Sequence, residues 1–542
     1  MRFAIIDGYV DEPTCLGVPF FVSTYIRYAA GALVSAGITD ISYLTIEQVR
    51  ESQYALHDFD YAVIIAGNPV PGKYLGGMPI KEYEFDKIAA ANNKTRFIIG
   101  GPILLDPLPL HTDNISYAEG DIEKYLYLKF GGGDSSGFTR TIGDLNRFAA
   151  AGAFIVEQHP RYPDIICEIE TGRGCPRANH CSFCIEGTYP VDFRSPDDVV
   201  AEMKELERHG IRHFRLGKQA DFYAYGSDMS SMKDGFPKPD PGIIERLYLG
   251  IKDSLSSLET LHLDNVNPGT IARYPSESEL ITRTIAENNT PGDVAALGME
   301  SADPKVIALN GLKASAGQVG FAVGMINGFG GIRADGIPKF LPGINLIQGL
   351  SGEGKGTFAL NYQFLKSLLD NGMMLRRINI RQLRMNRSTE IYSKKSDKKT
   401  EKILDAVFRN YREKIRTEID IPMLKKVYPA GTLIRNVIVE QHRGPWSLAR
   451  PIGTYPIVID IPRELPLFSK HDIFVTDHRE RSLIGLPYPF IPEKASLNEW
   501  KAIPGIGRNA GAVIAGRQFS ARSLSGYEIP PDVFARLFPE PR

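Results

Sequence analysis

Three cysteines, Cys175, Cys181 and Cys184, fall in the stretch TGRGCPRANHCSFCIEGTYP (171–190), separated by five and then two residues. Thiols that close in sequence can address one centre without help from distant parts of a fold. Gly172, Gly174 and Pro176 mark the stretch as a loop, where ligands turn inward free of helix or strand periodicity. Three thiolates suit soft, thiophilic metals, either zinc or the irons of a cluster. His180 could complete a four-ligand zinc site, but closed zinc sites usually pair two ligand knuckles, and no second CxxC or HxxxH lies nearby. A [4Fe–4S] cluster on three cysteines keeps one iron open for another ligand.

CSFC, with an aromatic residue before the last cysteine, resembles the cluster loop of the radical S-adenosylmethionine (SAM) superfamily, whose usual spacing is CxxxCxxC; here the first gap is two residues longer. The resemblance implies that SAM chelates the open iron and is cleaved to methionine and a 5′-deoxyadenosyl radical. Cluster and SAM then carry the chemistry, and the protein binds, orients and excludes water.

Around this loop the chain reads as a multidomain α/β protein. Its 542 residues exceed one ordinary core. Hydrophobic content of 43%, charged content of 23% and a net charge of −1 are those of a soluble globular chain without a global polyanion-binding signature. Five cysteines do not make a disulfide scaffold, and an oxygen-sensitive cluster favours a reducing compartment. The N-terminus lacks signal-peptide character and no apolar run approaches the ~20 residues that span a bilayer, so a cytoplasmic protein without membrane partners is expected.

Residues 1–108 alternate strand and helix signals: RFAIID, a helix over Phe20 to Ala36, ITDISYLTI, then YAVIIAG and RFIIGGP. Apolar runs of this kind are parallel strands buried on both faces, which predicts a doubly wound α/β domain. It resembles the N-terminal domains preceding many radical SAM cores, either cobalamin-binding or methylthiotransferase-type. No DxHxxG cobalamin-histidine motif is present, and Cys15 stands alone where methylthiotransferases carry three cysteines. Residues 109–160 read as a connector containing the flexible run GGGDSSG (131–137).

The core, 161–390, begins with a strand at IICEIE, where Cys167 reads as a small buried apolar residue. Ser195 and Pro196 open a helix with Val199, Met203 and Leu206 on one face, and Gly210 follows its end. Strands near 211–217, 258–266, 293–301, 343–350 and 375–383 alternate with helices near 240–257, 276–288 and 357–371, predicting a partly or fully closed (β/α) barrel with its site at the strands' carboxyl ends. The span is most similar to the methylthiotransferase branch of radical SAM enzymes, through RLGKQADFYAY, GMESADPKVIALNGL and GLSGEGKGTF. That resemblance implies that Phe183 contacts adenine through its backbone, and that Gly217, Lys218 and Gln219 replace the Gly-Gly-Glu that holds the methionine amino group. It also implies that Glu300 and Ser301 face SAM from the fourth strand, and that Leu346 to Gly349 flank adenine from the fifth. Glu300 has an alternative reading as a buried acid paired with an arginine such as Arg384. GLSGEGKGT nearly spells a P-loop, but Gly356 stands where the magnesium-binding hydroxyl is required.

Residues 391–428 form a basic helical linker, 429–490 a small all-β barrel resembling the RNA-binding barrel (TRAM/OB-like) of methylthiotransferases, and 491–542 resemble a helix-hairpin-helix. In the last, Gly505, Gly507 and Arg508 would meet a phosphate. The combined expectation is a radical SAM enzyme that methylates or inserts sulfur into a nucleic acid, RNA before DNA, reduced by a ferredoxin or flavodoxin. The alternatives are a cobalamin-dependent methylase acting on a small molecule or protein, a DNA-acting enzyme, and a non-catalytic nucleic-acid-binding metalloprotein.

Overall fold

The computed structural model describes residues 1–9, 20–56, 58–67, 75–132, 137–393 and 398–539. Cys15 and most of the GGGDSSG run lie outside them. The chain divides into two compact units, Met1–Thr284 with Leu383–Lys395, and Ile285–Gln382 with Ser396–Arg542.

The first unit opens with β1 (Phe3–Asp7), β2 (Phe21–Val22), α1 (Thr24–Ser35), β3 (Ile41–Thr45), α2 (Ile46–Glu51), β4 (Tyr61–Ile65), α3 (Glu82–Ala91), β5 (Arg96–Gly100), β6 (Ile115–Tyr117), α4 (Ile122–Gly131) and α5 (Ile142–Ala151). Five of these strands form a parallel sheet in the order β3-β1-β4-β5-β6. Ala4, Ile6, Ile64, Phe97 and Ile99 build its core with Phe85 and Ile88 of α3. This is a doubly wound sheet whose strand order reverses between β1 and β4.

Two expectations need correction. The segment 109–160 is not a plain connector, because it supplies the fifth strand and two helices. The run from Phe20 is not all helix: Phe21–Val22 pairs in parallel with Ile166–Cys167, and α1 starts only after Ser23.

The rest of the unit comprises β7 (Ile166–Glu170), β8 (Gly172–Arg173), β9 (Asp192–Phe193), α6 (Pro196–Arg208), β10 (His213–Gly217), β11 (Asp228–Lys233), β12 (Phe236–Lys238), α7 (Pro241–Ser254) and β13 (Thr260–Leu263). β13-β10-β7-β2 form a second parallel sheet. Ser195 caps α6 by accepting from the Asp198 N–H, and Val199, Met203 and Leu206 are buried. The hairpin of β11 and β12 was not legible, since DMSSMK is exposed throughout and carries no apolar alternation.

The second unit holds three parallel strands, Asp293–Glu300, Phe340–Gln348 and Arg377–Gln382, with the middle one paired to both others. Helices Ala316–Gly330 and Lys355–Asp370 connect them. Helices Lys398–Ile415 and Ile421–Val427 then lead to five strands, Leu433–Arg443, Trp446–Arg450, Val458–Ile461, Lys470–His478 and Ser482–Tyr488. These close into a barrel in which the third and fifth strands run parallel. Val437, Val439, Ala449, Ile459, Ile473, Val475 and Leu483 fill it. The barrel was expected; its second strand, from Trp446, was not.

After the barrel come four short helices, Leu497–Lys501, Ala510–Ala515, Ala521–Leu524 and Pro531–Leu537. Their core centres on fully buried Trp500, edge-on to Phe490 at 5.5 Å and stacked on Phe519 at 5.8 Å.

Candidate active site

β7 and β10 place Glu168 opposite Arg215 and Glu170 opposite Gly217, and β13 places His262 beside Arg215. Because side chains alternate along a strand, Glu168, Glu170, Arg215 and His262 share one face, while Cys167, Phe214 and Leu216 share the other. The polar face is fully buried and must be paired. Arg215 is ion-paired with Asp264 and lies 3.4 Å from Glu168. Burial pushes the Glu168 carboxyl up to about 7, against the pull of Arg215 and Lys218. Cys167 is buried, and burial pushes its thiol up to about 12, so it stands as an apolar packing residue.

β7 delivers the chain to the cysteine loop, which the ribbon of β8 and β9 closes at its base. Gly174 has φ +82°, and a Cβ there would sit 2.7 Å from the Pro190 carbonyl. Within the loop the Cys175 N–H donates to the Glu186 carbonyl at 3.2 Å and the Cys184 N–H to the Cys181 carbonyl at 3.0 Å. Outside it, the Ala178 N–H reaches the Gly235 carbonyl, and the Ser182 carbonyl accepts from Ile391, both at 2.9 Å. Cys181 is buried; Cys175, Cys184 and Phe183 are half-buried. The Arg177 guanidinium donates to Cys181 Sγ at 3.2 Å. His180 is exposed, its Nε2 3.3 Å from the Cys175 carbonyl. Among the described residues, no three His, Cys, Asp or Glu side chains are arranged to hold a metal ion as they stand. The donor set on the loop is nonetheless three sulfurs, which fits a thiophilic centre.

At the end of β10 the backbone is exceptional. Gly217 is needed because a Cβ would lie 2.5 Å from Glu168 Oε1. Lys218 has φ +60°, rare for a residue with a side chain. Its buried ammonium donates to the Tyr25 hydroxyl at 2.8 Å and lies 4.4 Å over that ring. Burial alone would lower its pKa, but Tyr25, Glu170, Glu186 and Glu168 hold it above the ordinary lysine value. Gln219 is 3% exposed, and neither end of its side-chain amide has a hydrogen-bond partner. A buried amide left that way is costly unless a ligand completes it.

The remaining candidates belong to the second unit. Glu300 ends its strand at φ +62° and faces Lys313 at 3.8 Å. Gly298 makes room for that lysine, since a Cβ would meet Lys313 Nζ at 2.3 Å. Ser301 is buried and accepts from the Asp303 N–H at 3.2 Å. Leu346 is buried opposite Glu300 in register. Gly349, at φ +98°, donates its N–H to Glu353 at 2.7 Å. Burial pushes that carboxyl up to about 7 despite this bond. In the near-P-loop, Thr357 is already engaged with Asp303 at 2.6 Å.

The C-terminal turn carries Gly505 at φ +85° and Gly507 at φ +43°, with Arg508 exposed. A Cβ on Gly505 would lie 2.4 Å from the Glu528 carbonyl, so protein backbone covers that side of the turn. Sequence reading missed Arg177, Arg215, Tyr25 and Lys313. Arg177 alone left a signal, since it lies in the lengthened first gap of the cysteine motif.

No family model matches the chain. A solved structure of the radical S-adenosylmethionine methyltransferase TsrM from Kitasatospora setae, with tryptophan substrate and a SAM analogue bound, covers 72% of this chain and 75% of its own at 14% identity and a TM-score of 0.48. At that score the likeness carries no weight, and the functional reading rests on this chain's own residues. An uncharacterized protein of Archaeoglobus fulgidus is 42% identical over 518 residues, covering 94% of both chains. Uncharacterized protein MJ0274 of Methanocaldococcus jannaschii is 40% identical over 516 residues, covering 89% of this chain and 93% of its own. Identity at this level along nearly the whole length means that the chain belongs to the same family as these two archaeal proteins.

Proposed function

We propose that this chain is a radical SAM enzyme in which Cys175, Cys181 and Cys184 hold a [4Fe–4S] cluster and the end of β10 receives the amino-acid part of SAM. The observation that carries the reading is the placement of three thiols on one pinned loop at the carboxyl edge of a parallel sheet, the edge where such folds gather their sites. When bound, cluster and SAM supply a 5′-deoxyadenosyl radical. The chain's own contribution is binding and orientation. Gln219 offers a donor and an acceptor with no protein partner, Gly217 lets Glu168 close behind them, and Lys218 with Tyr25 forms a wall. An electron donor such as ferredoxin or flavodoxin completes the system.

Anaerobic reconstitution with iron and sulfide tests this. The wild type should bind about four irons per chain, absorb in the visible and release 5′-deoxyadenosine from SAM and dithionite; Cys181→Ala should do neither of the last two. A colourless wild type loaded with zinc would overturn the reading. The order reversal between β1 and β4 supports cobalamin as an added cofactor without a histidine ligand, which titration of the intact protein with hydroxocobalamin, followed through the corrin absorbance, decides.

A nucleic-acid substrate, RNA before DNA, is favoured by one observation in the second unit. Desolvation and the charge of Arg416, then of Arg412 and Arg376, pull Arg481 below its ordinary value against the opposing carboxylate of Asp420. Arg376 is buried beside them and its Nε has no partner. Clustered arginines of this kind attract phosphate. The barrel and the C-terminal turn, read as an RNA-binding barrel and a helix-hairpin-helix, would extend that surface.

A further inference from the structure

The first gap of the cysteine motif is two residues longer than the radical SAM pattern, and the lengthened segment, PRANH, carries Arg177. We infer that Arg177 is a positioning residue that raises the reduction potential of the cluster through Cys181, with the β11–β12 hairpin as its strut. This rests on the cluster reading above.

The contact is a guanidinium N–H to Sγ hydrogen bond of 3.2 Å between two residues that are each 8% exposed. The guanidinium is held from behind by Phe236, whose ring centroid lies 5.1 Å away. Phe236 is itself fixed: it is buried, Arg273 covers it at 4.0 Å, and its carbonyl accepts from the Tyr274 hydroxyl at 3.0 Å. The hairpin turn also grips the loop directly. Ala178 donates its N–H to the Gly235 carbonyl at 2.9 Å, and a Cβ on Gly235 would press the Ala178 side chain at 3.3 Å. The extra residues of the loop reach solvent at Ala178, Asn179 and His180, yet the loop is tied down at Arg177 and Ala178. They lean on a hairpin that presents an aromatic face to an arginine aimed at a sulfur.

A cation donating a hydrogen bond to a thiolate ligand stabilises the more negatively charged form of the centre. Hydrogen bonds to cluster sulfurs, net charge and exposure are the levers by which a protein sets cluster potential. With both partners buried, the interaction is stronger than it would be in water. A one-electron gain by the cluster is thus made easier by Arg177, and its loss should move the potential downward.

The test is EPR-monitored potentiometry on reconstituted full-length protein, with iron and sulfide content measured on each sample. Arg177→Met should bind as much iron as the wild type but shift the one-electron reduction equilibrium at least tenfold toward the oxidised form, about 59 mV. Arg177→Lys, which keeps the charge without the planar fork, should fall between the two. If R177M does not load, F236L supplies the second measurement, because it removes the strut and leaves every loop residue in place; it should also lower the potential. A fully loaded R177M at the wild-type potential, or a fully loaded F236L and R177K both at that potential, overturns the inference alone. A wild type that takes up no cluster overturns the radical SAM reading and this inference with it.

Discussion

Asp7 ends β1 with its carboxyl buried, accepting from the Tyr9 N–H and the Tyr43 hydroxyl, each at 2.9 Å. Burial is the larger effect and pushes its pKa up to about 6, although both hydrogen bonds pull the other way. A carboxyl raised on folding stabilises the fold below its unfolded pKa, near 4, and that contribution is lost as pH rises through about 6. Asp7→Asn removes the titration. Wild type should lose roughly 2 kcal/mol relative to D7N between pH 4 and pH 7, read as converging or crossing urea midpoints; parallel midpoints would refute it. At this scale the sequence is legible where close spacing puts residues on one loop, as with the three cysteines. It is silent where a residue's meaning comes from a partner far along the chain. Nothing near Arg177 announces Phe236, and nothing near Glu300 announces Lys313.

Among the elements, α1 and α5 cross at the closest approach two backbones allow. A Cβ on Gly31 would fall 1.8 Å from the Phe148 carbonyl, and one on Gly152 equally close to the Arg27 carbonyl. Neither neighbour can move as a flexible side chain would. Gly31→Ala should therefore cost about 3 kcal/mol or more, seen as lost soluble yield or a lowered urea midpoint. Helix Ala316–Gly330 makes the opposite case. Gly328 has open space around it, so Gly328→Ala should stabilise by up to about 1 kcal/mol. The same glycines hid this helix from sequence reading, because they mask the helical spacing of buried Val319, Val323 and Ile326. α6, with cap, acidic first turn and apolar stripe agreeing, was legible in full. Phe21–Val22 was not, since a two-residue strand has no period and exists only through its pairing with β7.

Over the whole molecule a net charge of −1 conceals an uneven distribution, and the arginine cluster of the second unit is where polyanion binding would register. Replacing exposed Arg412 and Arg481 together by alanine should lower the salt slope of tRNA binding by about two, measured by fluorescence titration between 50 and 200 mM salt as rough bounds. No binding by wild type, or an unchanged slope, would retire the RNA reading. Large-scale organisation was readable because the periodicity of apolar runs changes along the chain, from alternating strand and helix to consecutive short strands. How far the parallel strands close together was not readable, since that is decided by pairing at long sequence separation. No helix among the described residues is long and apolar enough to cross a membrane. The two tryptophans, Trp446 and Trp500, both belong to the second unit, while the three motif cysteines belong to the first. Trp500, wedged dry between two phenylalanines, will emit at the short-wavelength end of the tryptophan range, and a bound cluster would absorb in the visible from the other unit. One denaturation in a single cuvette can therefore follow each unit by its own colour.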